Sequence, residues 1–147
     1  MKLLKLYSWI SGSMADFTKP FSNNKVLYDQ AREFWNKLES SSVIIVLICI
    51  VLGVSLTVYY YTSYNNQPGR HYHPKFWLLM LLVTMVLTFC LTLGVECLAA
   101  QPKINGAFML EMKIALGNAI YAAGVYLLTS VVWCNTLPTN AYRLLKF

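Results

Sequence analysis

The sequence predicts an all-α integral membrane protein, three transmembrane helices preceded by amphipathic N-terminal helices and assembled as a homo-oligomer. Composition is the first observation behind this. Of 147 residues 57% are hydrophobic and 12% charged, with a mean hydropathy of +0.50, whereas soluble domains carry roughly 25% charged residues. The second is three long runs without a single charge. The third is the basic balance, twelve Lys and Arg against six Asp and Glu. Together they exclude an acidic disordered tail, a collagen-like repeat and a disulfide-framed miniprotein. They also argue against an enzyme, because too little chain lies outside the runs to enclose an active-site core.

Span one, 42–61, crosses twenty uncharged positions, which at helical rise is about 30 Å, the hydrocarbon thickness of a bilayer. Span two, 76–95, is equally long, and Glu96 closes it. Span three, 114–134, is softer, being rich in Ala and Gly. Residues 1–41 form the largest extramembrane piece, 42–134 the transmembrane region and 135–147 a C-terminal tail. The opening MKLLKLYSWI is interrupted by Lys5 and lacks the continuous apolar stretch of a secretory signal, so it is expected to stay in the mature protein.

Within 1–41, Leu3, Leu6, Tyr7 and Ile10 fall at helical spacing and predict an amphipathic segment in the headgroup layer. Ser11, Gly12, Ser13 and Pro20 interrupt it. Asn23 or Asn24 then caps a second helix, with Leu27, Ala31, Phe34, Trp35 and Leu38 on one face and Asp29, Arg32, Asn36 and Lys37 on the other. Basic residues place the N-terminus in the cytoplasm, eight on its side against four on the other. Tyr59, Tyr60, Tyr61, Tyr64, Phe76, Trp77 and Trp133 all fall at one interface, the depth that amphipathic rings prefer.

The polar residues inside the spans carry the functional expectations. Thr84, Thr88, Thr92 and Glu96 recur every four residues, a stripe of hydroxyls ending in a carboxylate. In an oligomer such a stripe lines a water-filled path, and one Glu96 per subunit makes a charged ring. Alternatively the threonines satisfy their own backbone carbonyls and Glu96 sits among headgroups. In span three Ala115, Ala119 and Ala123, with Gly117 and Gly124 nearby, form a surface of small residues that admits another helix, and the Asn118 amide can bond across to it. That partner helix is either within the same chain or in another copy.

Other chemistry is thin. His71 and His73 have no Asp, Glu or Cys beside them, so no metal and no cofactor is expected. Cys49, Cys90, Cys97 and Cys134 have no disulfide or CxxC spacing. Phosphate loops, catalytic triads and carboxylate pairs are missing from the sequence. The classes left are an oligomeric ion channel or pore and an accessory helical subunit of a larger membrane complex. Nucleic-acid binding by the N-terminal region has only six basic residues against four acidic ones to support it.

A short basic amphipathic N-terminal region, a few spans and a tail ending NTLPTNAYRLLKF resemble, in overall layout, the small membrane effectors of bacterial anti-phage defence, in particular the membrane partner of the nucleotidyltransferase in Hailong-type systems. The resemblance implies a multi-pass protein of the bacterial inner membrane. It also implies an ion channel that depolarises the infected cell and is held shut by a nucleic-acid or nucleotide ligand made by the partner nucleotidyltransferase. It transfers no ligand contact residue by residue. Lys19, Lys25, Arg32 and Lys37 are candidates because a polyanion needs cations facing water.

Overall fold

A computed structural model describes residues 3–66, 73–101 and 104–146, and every element among them is helical. The elements are α1 (Ser8–Ser11), α2 (Met14–Thr18), α3 (Lys25–Ser40), α4 (Ser42–Tyr59), α5 (Pro74–Ala99) and α6 (Ala107–Thr136), with 3-10 turns at Leu3–Tyr7 and Lys19–Phe21 and a π-helical turn at Tyr60–Tyr64. Three stretches are long and apolar enough to cross a membrane: Lys25–Tyr64, Pro74–Ala99 and Ala107–Thr136. The chain is a multi-pass membrane protein by this measure. Its helices run past the charge-free runs, α6 by seven residues at its start, because a helix needs no apolar side chains in the turns that leave the hydrocarbon.

The chain divides into two compact units that cut across the boundaries drawn from sequence. One is Met1–Ile48 with Phe89–Asn118, the other Cys49–Thr88 with Ala119–Phe147.

In the first unit the 3-10 turn changes which face of the N-terminal segment is buried. A period of three puts Leu4 and Tyr7 inward and leaves Leu6 exposed, whereas the expected face joined Leu3, Leu6, Tyr7 and Ile10. Helix α2 opens with a capping box, in which Asp16 Oδ2 accepts from the Ser13 hydroxyl at 2.6 Å and the Ser13 amide at 2.9 Å. These bonds, with Lys19 nearby, hold the Asp16 carboxyl below its ordinary 3.8. A depressed folded value means that the box contributes stability above the unfolded pKa and loses it as the pH falls through the folded one. Ser13→Ala is therefore expected to move the Asp16 titration upward, measured by carboxyl NMR.

Asn24 caps α3, its Oδ1 accepting from the amides of Val26 at 3.1 Å and Leu27 at 3.4 Å. Ala31, Phe34, Trp35 and Leu38 are buried as their spacing predicts, and Leu27, in the first turn, is exposed. The Phe17 ring packs on Phe34 and Trp35, with centroids 5.8 and 5.9 Å away. Between α3 and α4 three consecutive serines turn back on the helix end. Ser40 donates to the Lys37 carbonyl at 2.6 Å, Ser41 to the same carbonyl at 3.2 Å and Ser42 to that of Glu39 at 2.6 Å. Such back-bonding satisfies carbonyls where one helix gives way to the next.

The second unit gathers the aromatic residues expected at an interface. Tyr60, Tyr61 and Trp77 are buried in one cluster with Tyr126 and Cys134, and Tyr64, Phe76 and Trp133 pack against it. Tyr59 stays exposed. The wide turn closes with the Asn65 amide donating to the Tyr60 carbonyl, five residues back, which lets neighbouring Tyr60 and Tyr61 both point inward. Tyr61 stacks on Trp133 at 6.0 Å and bonds Cys134 Sγ at 3.1 Å, while Trp77 Nε1 donates to Ser130 Oγ at 3.3 Å. The C-terminal tail folds back here, Thr139 donating to the Tyr61 carbonyl at 2.9 Å and Asn135 to that of Leu145 at 3.2 Å.

Candidate functional site

Asn118 is the centre of the polar interior of the first unit. Its Nδ2 donates to the Ile45 carbonyl on α4 at 2.9 Å and to Thr92 Oγ1 on α5 at 2.7 Å. Its Oδ1 accepts from the Tyr7 hydroxyl at 2.8 Å. One amide thus ties α6 to both other long helices and to the N-terminal segment. All these side chains are buried, as polar groups away from water must be if they are to find partners.

Close approach makes the Tyr7 bond geometrically available. A Cβ on Gly117 would lie 3.1 Å from Tyr7 Cδ1 and 3.2 Å from Ile10 Cγ2, so the N-terminal segment rests on bare α6 backbone. Gly117 therefore serves a contact inside the chain. Gly124, counted in the same small surface, has open space where a Cβ would stand.

Toward the α5–α6 connection the interior turns acidic. Glu96, one turn beyond Thr92, and Glu111, two turns before Asn118, are both fully buried. The Cys97 thiol donates to Glu111 Oε2 at 3.5 Å. The Thr92–Asn118 and Cys97–Glu111 bonds fix the antiparallel register of this part of α5 and α6. Two of the six acidic residues are thus withheld from solvent in helices apolar enough to span a bilayer, where an ionised carboxylate is costly and usually functional.

The four members of the α5 stripe are each fully enclosed by the chain itself. In the second unit Thr84 Oγ1 donates to its own Met80 carbonyl at 2.8 Å, the local satisfaction weighed against pore lining, and Thr88 Oγ1 has no hydrogen-bond partner among the described residues. In the first unit Thr92 accepts from Asn118 and Glu96 shares the acidic interior. Glu96 is buried within the single chain.

Among the helix-packing candidates, Ala115, Asn118 and Ala119 are buried within the single chain and Ala123 is half-buried. For Asn118 the helices it meets are those of the same chain, the first of the two arrangements left open by sequence. Of the four basic candidates, Lys19, Lys25 and Arg32 are exposed. Lys37 is engaged, pairing with Glu33 at 2.8 Å and donating to the Gln101 carbonyl at 2.7 Å. His71 lies outside the described residues, and His73 is exposed.

Sequence reasoning missed Tyr7, Ile45 and Glu111. Glu111 stood outside the apolar run, yet its seven-residue spacing from Asn118 is two helical turns and places both on one face. Compared with protein-family models, with curated proteins and with solved structures, the chain matches none of them.

Proposed function

We propose that this protein is the subunit of an oligomeric, cation-conducting membrane channel whose ion-handling groups are Glu96 and Glu111, with the N-terminus on the cytoplasmic side. The observation that carries the reading is the burial of both carboxylates at the ends of membrane-length helices, next to the Asn118 network. Stability alone would favour apolar residues there, because desolvating a carboxylate costs several kcal/mol. A cation or proton passing the site offsets that cost, so acids in such places commonly mark ion pathways. The reading moves ion handling from a ring shared among subunits into the interior of each one. Exposed Lys19, Lys25 and Arg32 remain the proposed contacts for a gating nucleic acid or nucleotide, and the layout resemblance supports a role in antiviral defence beside a nucleotidyltransferase.

Planar-bilayer recordings of the reconstituted protein test this, before and after nuclease treatment so that a retained polyanion does not hold the channel shut. Wild type is expected to conduct cations in preference to anions. Glu96→Gln and Glu111→Gln should each weaken that preference while the assembly keeps its size in detergent. Silence after nuclease treatment from correctly assembled protein would replace this reading with an accessory helical subunit of a larger complex.

A further inference from the structure

We propose that the cleft between the Ser11–Phe21 segment and the start of α6 is a binding site for a zwitterionic phospholipid headgroup, specifically phosphoethanolamine. The cleft has a volume of about 540 Å³, within the several-hundred-Å³ range of small-molecule sites. It lies entirely within the first unit. Its lining is mixed in chemistry. Phe17, Phe21, Met109 and Leu110 supply apolar surface, while Asp16 and Lys113 bring one negative and one positive group. Both charged residues are exposed.

Position selects a lipid as the occupant. Lys113 is the last charge before twenty-three uncharged residues of α6, so its ammonium stands where a headgroup phosphate stands. Met109 is 62% exposed, offering the upper part of an acyl chain an apolar surface. Charge complementarity selects the class of lipid. Lys113 matches the phosphate, and Asp16 of the same lining matches an ammonium. The capping box engages Asp16 Oδ2, which leaves Oδ1 outside those two bonds. Ser11 and Asn105, also in the lining, add hydrogen-bonding groups for the phosphate and glycerol oxygens. An anionic lipid without an amine would meet the Asp16 carboxylate unfavourably. Phosphocholine, with three methyl groups on its nitrogen, has no N–H to donate to it.

Native mass spectrometry of the full-length protein in detergent tests this, with phosphatidylethanolamine, phosphatidylcholine and phosphatidylglycerol of identical acyl chains. Retention of the ethanolamine lipid is expected to exceed the other two by about tenfold, the scale of one charge-assisted hydrogen bond. Asp16→Asn, which keeps an acceptor for Ser13, should bring ethanolamine and choline lipids to parity. Lys113→Gln should lower retention of both, relative to Lys25→Gln outside the cleft. Equal retention of all three lipids by the wild type would mean ordinary annular contact and overturn the proposal. Preference for the glycerol lipid would mean a site read by Lys113 alone and overturn it too, as would an ethanolamine preference that survives Asp16→Asn. The lipid series on the wild type decides without relying on any variant's folding.

Discussion

Asn118→Leu is expected to cost about 2–4 kcal/mol of folding stability in detergent, because three interhelical hydrogen bonds disappear and each is worth roughly 0.6–1.7 kcal/mol within a membrane-type interior. The loss falls unevenly on the partners. Thr92 can turn its hydroxyl back to a carbonyl of its own helix, and the Ile45 carbonyl belongs to the helical ladder of α4. The Tyr7 hydroxyl loses its bond across to α6. Tyr7→Phe alone is therefore expected to cost about 1 kcal/mol, and the two substitutions together less than their sum, since each removes the same bond. Denaturant titration of the two variants and their combination measures this coupling. Additive effects, or an Asn118→Leu protein within about 0.5 kcal/mol of wild type, would show that the amide is incidental to the fold.

The Tyr7–Asn118 pair also marks where sequence patterns stop being informative. The three long helices were legible because a bilayer demands charge-free runs of a definite length, and 42–61, 76–95 and 114–134 meet that demand without reference to anything else in the chain. Local periodicity likewise found the buried face of α3 from Ala31 to Leu38. A bond between residues 111 positions apart leaves no such trace, since neither tyrosine nor asparagine announces its partner by spacing. The N-terminal segment misled for a different reason. A 3.6-residue period joins Leu6 to Tyr7 and Ile10, but the stretch winds with a period of three, which puts Leu4 on the buried face instead. Aromatic residues were read by their affinity for the headgroup region, which says nothing about whether they also pack on one another, as Tyr61 and Trp133 do. For the acidic interior, Glu96 is visible as the end of a stripe, whereas Glu111 lies three residues outside an apolar run and belongs to no pattern that singles it out. Helical register places side chains regardless of where hydropathy ends.

Small residues give the second large effect, at a glycine of α4 outside the small-residue face of span three. Gly53 and Thr57 are one turn apart on α4, a small-xxx-small pair of the kind that lets membrane helices approach closely. In the second unit a Cβ on Gly53 would stand 2.7 Å from Val125 Cγ1, 2.8 Å from Val125 Cβ and 3.2 Å from the Ala122 carbonyl oxygen on α6. Thr57 reports the same close crossing, its Oγ1 lying 2.6 Å from the Gly53 carbonyl and 3.4 Å from that of Tyr126. A valine is stiff at its first side-chain torsion, and the backbone carbonyl cannot move aside without carrying α6 with it. Gly53→Ala is therefore expected to destabilise by about 1–3 kcal/mol, the usual cost of overpacking, despite the roughly 1 kcal/mol by which alanine outranks glycine in a helix. Val125→Ala in the same chain should recover part of the loss, because it removes Cγ1, the atom nearest the new methyl group, while Cβ at 2.8 Å stays. Gly124→Ala meets nothing within 4 Å and should keep or slightly raise stability through helix propensity alone. Thermal melting of the four proteins in one detergent separates the cases. A Gly53→Ala protein as stable as Gly124→Ala would mean that α4 and α6 are held together by something other than this close crossing.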